Sequence, residues 1–251
     1  MSQEGIEIRE TLVQTLWQNM PVSYMMRRFS AILAASGSIL TGVCNSQAAL
    51  IAQWTFETSV PTTAGSHFAE AGVNAGAGSQ ASGWHADSTT YSNPVGNGSL
   101  ESFSSTVWSA GDYYQFGTSL LGYQGVTLSW EQTRSATGPA DFKLAYSTDG
   151  FIFTDFSDYT VDAVTWGSGS HASGSYEFFD LSAVAVLNNK SSVYFRLISK
   201  VTSASTGTSR VDDFTINATP IPEPSTFIAG ALLALPFGLQ GVRYLRNRKR
   251  A

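Results

Sequence analysis

The side chains of this sequence that could do chemistry are carboxylates and aromatic rings. Histidine is scarce: His67, His85 and His171 each stand in Gly-, Ser- or Ala-rich surroundings, where an exposed loop position is expected and none has the spacing of a zinc site. Serines are abundant, but no G-x-S-x-G elbow presents one as a nucleophile. Asp155/Asp158 and Asp158/Asp162 supply the residue types of a glycoside-cleaving acid and base. That chemistry needs a set separation across a cleft, which spacing within one segment does not show. No catalytic residue is assigned, and the chain reads as a non-enzyme. Aromatic rings offer a different chemistry, because an indole face left open to water can stack on a sugar ring. Trp84, Trp108 and Trp166, each beside Gly or Ser in turn-like surroundings, are the candidate glycan contacts. Trp130 and Tyr146 share strand faces with Val126, Leu128, Phe142 and Leu144, which places them in the core.

One more carboxylate stands apart. Glu223 lies between Pro222 and Pro224 and is the only charge between Asp213 and Arg243. Proline on both sides stops a helix from crossing this point, so the tripeptide should be extended and open to a processing enzyme. An apolar run from Phe227 to Val242 follows, then Arg243, Arg246, Arg248, Lys249 and Arg250. A membrane-crossing helix wants about 20 apolar residues, with roughly 17 as the lower limit. Ser225 to Val242 reaches that limit, and the cationic tail would hold the distal end in the cytoplasm. These three parts in this order resemble the PEP-CTERM sorting signal of Gram-negative bacteria. The resemblance implies recognition by an exosortase, an inner-membrane intermediate, cleavage near Pro222-Glu223-Pro224, and release to the cell surface or an exopolysaccharide matrix. At the other end, Arg27-Arg28, the apolar Phe29 to Val43 and the small residues Ser46-Gln47-Ala48 make a signal peptide over 25–48. Signal peptidase is expected to cut after Ala48 or Ala49. Because Met25-Met26 directly precedes the arginines, residues 1–24 read as an extension ahead of the true start.

Between the signals, residues 49–220 form one domain, and 221–251 carry the sorting signal with its transmembrane helix. The only cysteine, Cys44, falls outside the domain, so core packing must stabilise it without disulfides. Its six basic residues stand against fifteen acidic ones, a net of −9, whereas the whole chain carries −5. This balance excludes nucleic acid as a partner, since phosphate binding needs basic patches. It suits a cation, and a neutral or cationic glycan.

The elements that must position these residues are strands. Val126 to Glu131 alternates apolar and polar, as do Phe142/Leu144/Tyr146 and Val193/Phe195/Leu197, which is the period of half-buried strands. Turn clusters at Asn97-Gly98, Thr137-Gly138-Pro139, Asp149-Gly150, Asn188-Asn189 and Thr206-Gly207 separate them. Asp149-Gly150 predicts a hairpin, and Asp180-Leu181-Ser182 one short helical turn leading into Ala183 to Leu187. The segment from Thr62 to Pro94, dense in Gly, Ala and Ser, reads as a long surface loop or a weak edge. The expected fold is all-β, an antiparallel β-sandwich of jelly-roll type.

Trp54-Thr55-Phe56-Glu57 opens this domain and Arg210-Val211-Asp212-Asp213-Phe214-Thr215-Ile216 closes it. The arrangement is similar to galactose-binding-like carbohydrate-binding modules. The resemblance implies that the first and last strands lie together and that Glu57, Asp212 and Asp213 contribute to a structural calcium. Calcium wants six to eight oxygens, so backbone carbonyls and water would complete the shell. Two functions fit: a non-catalytic structural protein of the surface or extracellular matrix, and a glycan-binding module associated with exopolysaccharide.

Overall fold

Alternating side chains pair into twelve strands in the computed structural model, which describes residues 47–222. In chain order they are β1 (Ala49–Trp54), β2 (Gly65–Ala69), β3 (Gly76–Trp84), β4 (Tyr91–Ser92), β5 (Phe103–Thr106) and β6 (Tyr113–Thr118). The second half contains β7 (Tyr123–Arg134), β8 (Asp141–Ser147), β9 (Thr154–Thr160), β10 (Tyr176–Asp180), β11 (Val193–Ser199) and β12 (Thr208–Pro220). One 3-10 turn, Ala185–Leu187, follows β10, within the stretch into which the turn expected at Asp180-Leu181-Ser182 leads. Residues 1–24, nearly all of the signal peptide, Glu223, Pro224, the apolar run and the basic tail lie outside the described residues. Among the described residues, no helix is long and apolar enough to cross a membrane.

Two antiparallel sheets of six strands make the sandwich. The first runs β10-β7-β12-β5-β4 with β1 also on β12, and the second runs β2-β3-β6-β11-β8-β9. β12 is the axis of the first sheet. β7 lies along one side of it, while β5 and then β1 share the other. The first and last strands are therefore neighbours, with Trp54 opposite Phe214. Between the stretches that meet β5 and β1 the β7 register shifts, and Asp213 adopts a φ of 51°. Asp tolerates this left-handed conformation better than most residues, and the resulting bulge redirects the strand.

Aromatic rings from both sheets fill the core. Phe116 of β6 lies flat on Phe214 of β12 at 3.6 Å, and Trp54 meets both edge-on. Trp130 stacks on Phe179 and Phe214 and is fully buried, as the alternation of β7 requires. Tyr146 packs partly buried against the same cluster.

The Gly/Ala/Ser-rich segment is not a long loop, one of the two expectations for it: it contains β2, β3 and β4, of which β2 and β4 are edge strands. Small residues are what these strands need. Ser79 and Ala81 are buried, Ala81 within the core cluster and Ser79 bonded to the Asn74 carbonyl and the Thr118 hydroxyl. Gly83 lets Tyr91 pass over the backbone, where an added Cβ would stand 2.6 Å from that ring. Strand pairing to β6, from Gln80 through Trp84, supplies the order that composition hides. At the Asp149-Gly150 turn, Gly150 takes a φ of 78° and the Asp149 carboxylate accepts the amides of Phe151 and Ile152.

Candidate functional site

On a strand whose inner residues face a packed core, every second side chain points away from that core. In the second sheet those outward residues line up across four strands, because directly paired residues point the same way. One row holds Trp84, Tyr113, Ile198 and Lys143; the next holds Ser82, Gln115, Arg196 and Ala145; the third holds Gln80, Gly117, Tyr194 and Ser147. The face is thus aromatic at one end and amide- and hydroxyl-bearing at the other.

At the aromatic end Trp84 is 49% exposed and stacks on Tyr113, with ring centroids 5.5 Å apart and planes inclined by 18°. Tyr113 in turn covers Arg196, whose guanidinium carbon is 3.8 Å from the Tyr113 centroid and 3.7 Å from that of Phe153. Two rings so close can lie only on opposite faces of the planar cation. A cation between aromatic faces is held by their quadrupoles. Arg196 Nε also donates to Gln115 Oε1 at 2.8 Å. Gln115 belongs equally to the polar end, a groove of about 260 Å³ walled by Gln80, Ser82 and Tyr194 and floored by Gly117. A Cβ on Gly117 would stand 2.9 Å from the Tyr194 ring, so glycine is what lets that ring lie across β6. Half-exposed ring faces beside a shallow groove of amides and hydroxyls can stack a sugar and bond its hydroxyls.

The other indoles are differently placed. Trp108 is 1% exposed, edge-on to Tyr114, His85 and Phe142, and its Nε1 donates to the Ser105 carbonyl. Trp166 is 4% exposed, and its Nε1 donates to Ser175 Oγ. Neither offers a face to a ligand. Of the three tryptophans expected to contact glycan, Trp84 alone stands open. Its partners Tyr113, Gln115 and Arg196 escaped the sequence reading because outward residues of a strand look ordinary until neighbouring strands align them.

Histidines expected on loops are also partly internal. His67 is buried beneath the Trp54 Nε1 bond to its carbonyl. His85 Nδ1 lies 2.9 Å from Asp112 Oδ2 and its Nε2 lies 3.0 Å from Ser105 Oγ, the connectivity of a hydrolase triad. Ser105 and Asp112 are fully buried, however, and the Ser105 hydroxyl also meets the Tyr114 hydroxyl at 2.8 Å. No acyl group can reach that oxygen. Burial pushes the His85 imidazole below its ordinary pKa despite the pull of Asp112. The chain of bonds ties the end of β3 to β5 and β6.

Of the carboxylates expected to hold calcium, Glu57 and Asp212 accept hydrogen bonds from protein groups. Glu57 Oε1 accepts the amides of Leu100 and Glu101, both at 2.9 Å. Asp212 Oδ2 accepts the Asn97 amide at 3.0 Å and the Ser99 hydroxyl at 2.7 Å. The two carboxylates therefore anchor the loop over 96–101 to β12 and the end of β1. Burial raises the Asp212 pKa to about 7 against the bonds from Ser99 and Asn97. Asp213 is set aside by the bulge, its pKa raised by burial and by the charges of Glu131, Glu57 and Glu70. Among the described residues no group of three or more His, Cys, Asp and Glu side chains is placed to hold a metal ion. Glu131, nearly buried, does similar anchoring work: it accepts from Asn97, Ser175 and His171 and fastens the loop that follows β9.

No family model and no curated protein matches the sequence. Solved structures with a similar sandwich include the K2 cleaved adhesin domain of Lys-gingipain, at 15% identity, 66% coverage of this chain, 98% of that one and a TM-score of 0.41. Another is TmCBM61 in complex with beta-1,4-galactotriose, at 7% identity, covering 56% and 88%, with a TM-score of 0.35. A third is the Clostridium thermocellum xylanase 10B CBM22-1-GH10 pair complexed with xylohexaose, at 16% identity, covering 70% of this chain and 29% of that one, with a TM-score of 0.42. Overlap at these scores is partial, and no residue role is taken from it.

Proposed function

We propose that this chain is an exported, non-catalytic protein of the cell surface or extracellular matrix whose sandwich binds a glycan across the outer face of its second sheet. The observation that carries this reading is the half-exposed Trp84 stacked on Tyr113 beside the groove of Gln80, Ser82, Gln115 and Tyr194. An indole stacked on a tyrosine beside amides and hydroxyls presents the kind of ring face on which a sugar can lie. Burial of the Asp-His-Ser chain formed by Asp112, His85 and Ser105 leaves it no access to a substrate. Export by signal peptidase and sorting by an exosortase rest on the two terminal sequence patterns alone.

Affinity electrophoresis tests the binding role: full-length protein in mild detergent is run through gels cast with and without polysaccharide extracted from the producing organism. Wild-type migration is expected to slow in the polysaccharide gel, and Trp84→Ala is expected to migrate freely while melting at nearly the wild-type temperature. Unchanged wild-type mobility would leave the domain as a structural element.

A further inference from the structure

Arg196 is better built than a neutral sugar requires. Its plane is clamped by Tyr113 and Phe153, its Nε is bonded to Gln115, and its two Nη groups hold no hydrogen bond or ion pair among the described residues. Two other cations on this side of the sheet are already matched, Lys143 with Asp155 at 2.8 Å and Lys200 with Asp158. Arg196 is also partly withdrawn from water, and that desolvation lowers its pKa. A guanidinium fixed in orientation, short of solvent and with one edge free is a fork for a planar, two-oxygen anion.

We propose that Arg196 takes the carboxylate of a uronic acid, so that the polysaccharide bound on this face is acidic. The proposal rests on the glycan-binding reading and names its ligand class. It also revises the expectation from net charge: the −9 of residues 49–220 disfavours polyanions in general, but that charge is an average over the molecule. Lys143 and Lys200 are paired with Asp155 and Asp158 on this side of the sheet, whereas the Arg196 Nη groups have no carboxylate partner among the described residues. An acidic body with one placed fork should select spaced carboxylates in register over dense charge.

The test compares three probes in affinity electrophoresis of the full-length protein: polygalacturonate, the same polymer fully methyl-esterified, and dextran sulfate. Polygalacturonate should slow the wild type more than its ester does. Arg196→Gln should lose about tenfold or more in apparent affinity for the acid, the worth of a bond to a charged group, and with it the preference for acid over ester. Arg196→Lys, which retains charge and stem but not the fork, should recover only part of the acid response, and it guards against misfolding of the glutamine variant. Equal retardation by acid and ester in the wild type would overturn the carboxylate proposal and leave the glycan face standing. Retardation by neither would overturn the carboxylate proposal and leave the glycan reading to the extracted polysaccharide, and dextran sulfate acting as strongly as the polyuronate would reduce the effect to bulk charge and overturn the proposal as well.

Discussion

Trp84, Trp108 and Trp166 have the same indole and different fates, set by what lies on either side of each ring. Trp108 and Trp166 spend their Nε1 protons on Ser105 and Ser175 inside the protein, whereas Trp84 rests on Tyr113 with its other face in water. Their neighbours in sequence are alike, which is why the sequence could nominate all three and separate none. Charge follows the same local logic. Glu177, on the inward side of β10, is held by burial and by Asp162 and Glu131 at a pKa of about 7, above the ordinary 4.5. The folded state therefore keeps this proton more tightly than the unfolded chain. Its stabilising contribution is complete below about pH 4.5 and is lost as pH rises through about 7. Melting temperature should accordingly decline across that interval, and Glu177→Gln, which cannot ionise, should flatten the decline. A profile identical in wild type and variant would mean that Glu177 is solvated well enough to titrate normally.

At the scale of elements, strands are legible in the sequence in proportion to the size of their inward residues. β7, β8 and β11 carry Val, Leu, Trp and Phe at every second position, so period and face can both be read from the sequence alone. β3, with Gly, Ala, Ser and Gln, has the same period but no contrast between its faces, and its order comes from pairing to β6. The candidate site is legible only at Trp84, because the other members lie on strands that meet it through register rather than through sequence. Adjacency of β1 and β12 agrees with expectation, yet the carboxylates there serve as loop anchors: Glu57 and Asp212 each hold amides of the segment over 96–101. Trp130 tests how far one ring joins elements, since it connects β7 to Phe179 of β10 and Phe214 of β12. Replacing it with Ala should cost about 3 to 5 kcal/mol, a large part of a typical domain's stability. Chemical denaturation of wild type and variant measures this, and a loss under about 1 kcal/mol would show that the cavity collapses around the missing ring.

For the whole molecule, a terminal address is proposed to deliver a ligand-bearing domain. If Glu223 is the handle read by the sorting enzyme, Glu223→Ala should leave full-length protein in the inner-membrane fraction while the wild type is released. Equal release of both would separate the domain's function from that route. The glycan-binding role depends on the outer face of the second sheet, and no other surface, meeting the glycan. Amide chemical-shift mapping of the isotope-labelled protein, titrated with oligosaccharides cut from the producing organism's polysaccharide, tests it most directly. Saturable shifts are expected, centred on Trp84, Tyr113, Gln115, Tyr194 and Arg196 and including the indole signal of Trp84, with those of Trp108 and Trp166 unmoved. Shifts concentrated instead on the loop carrying Trp166 and His171, or scattered without saturation, would contradict binding at this face.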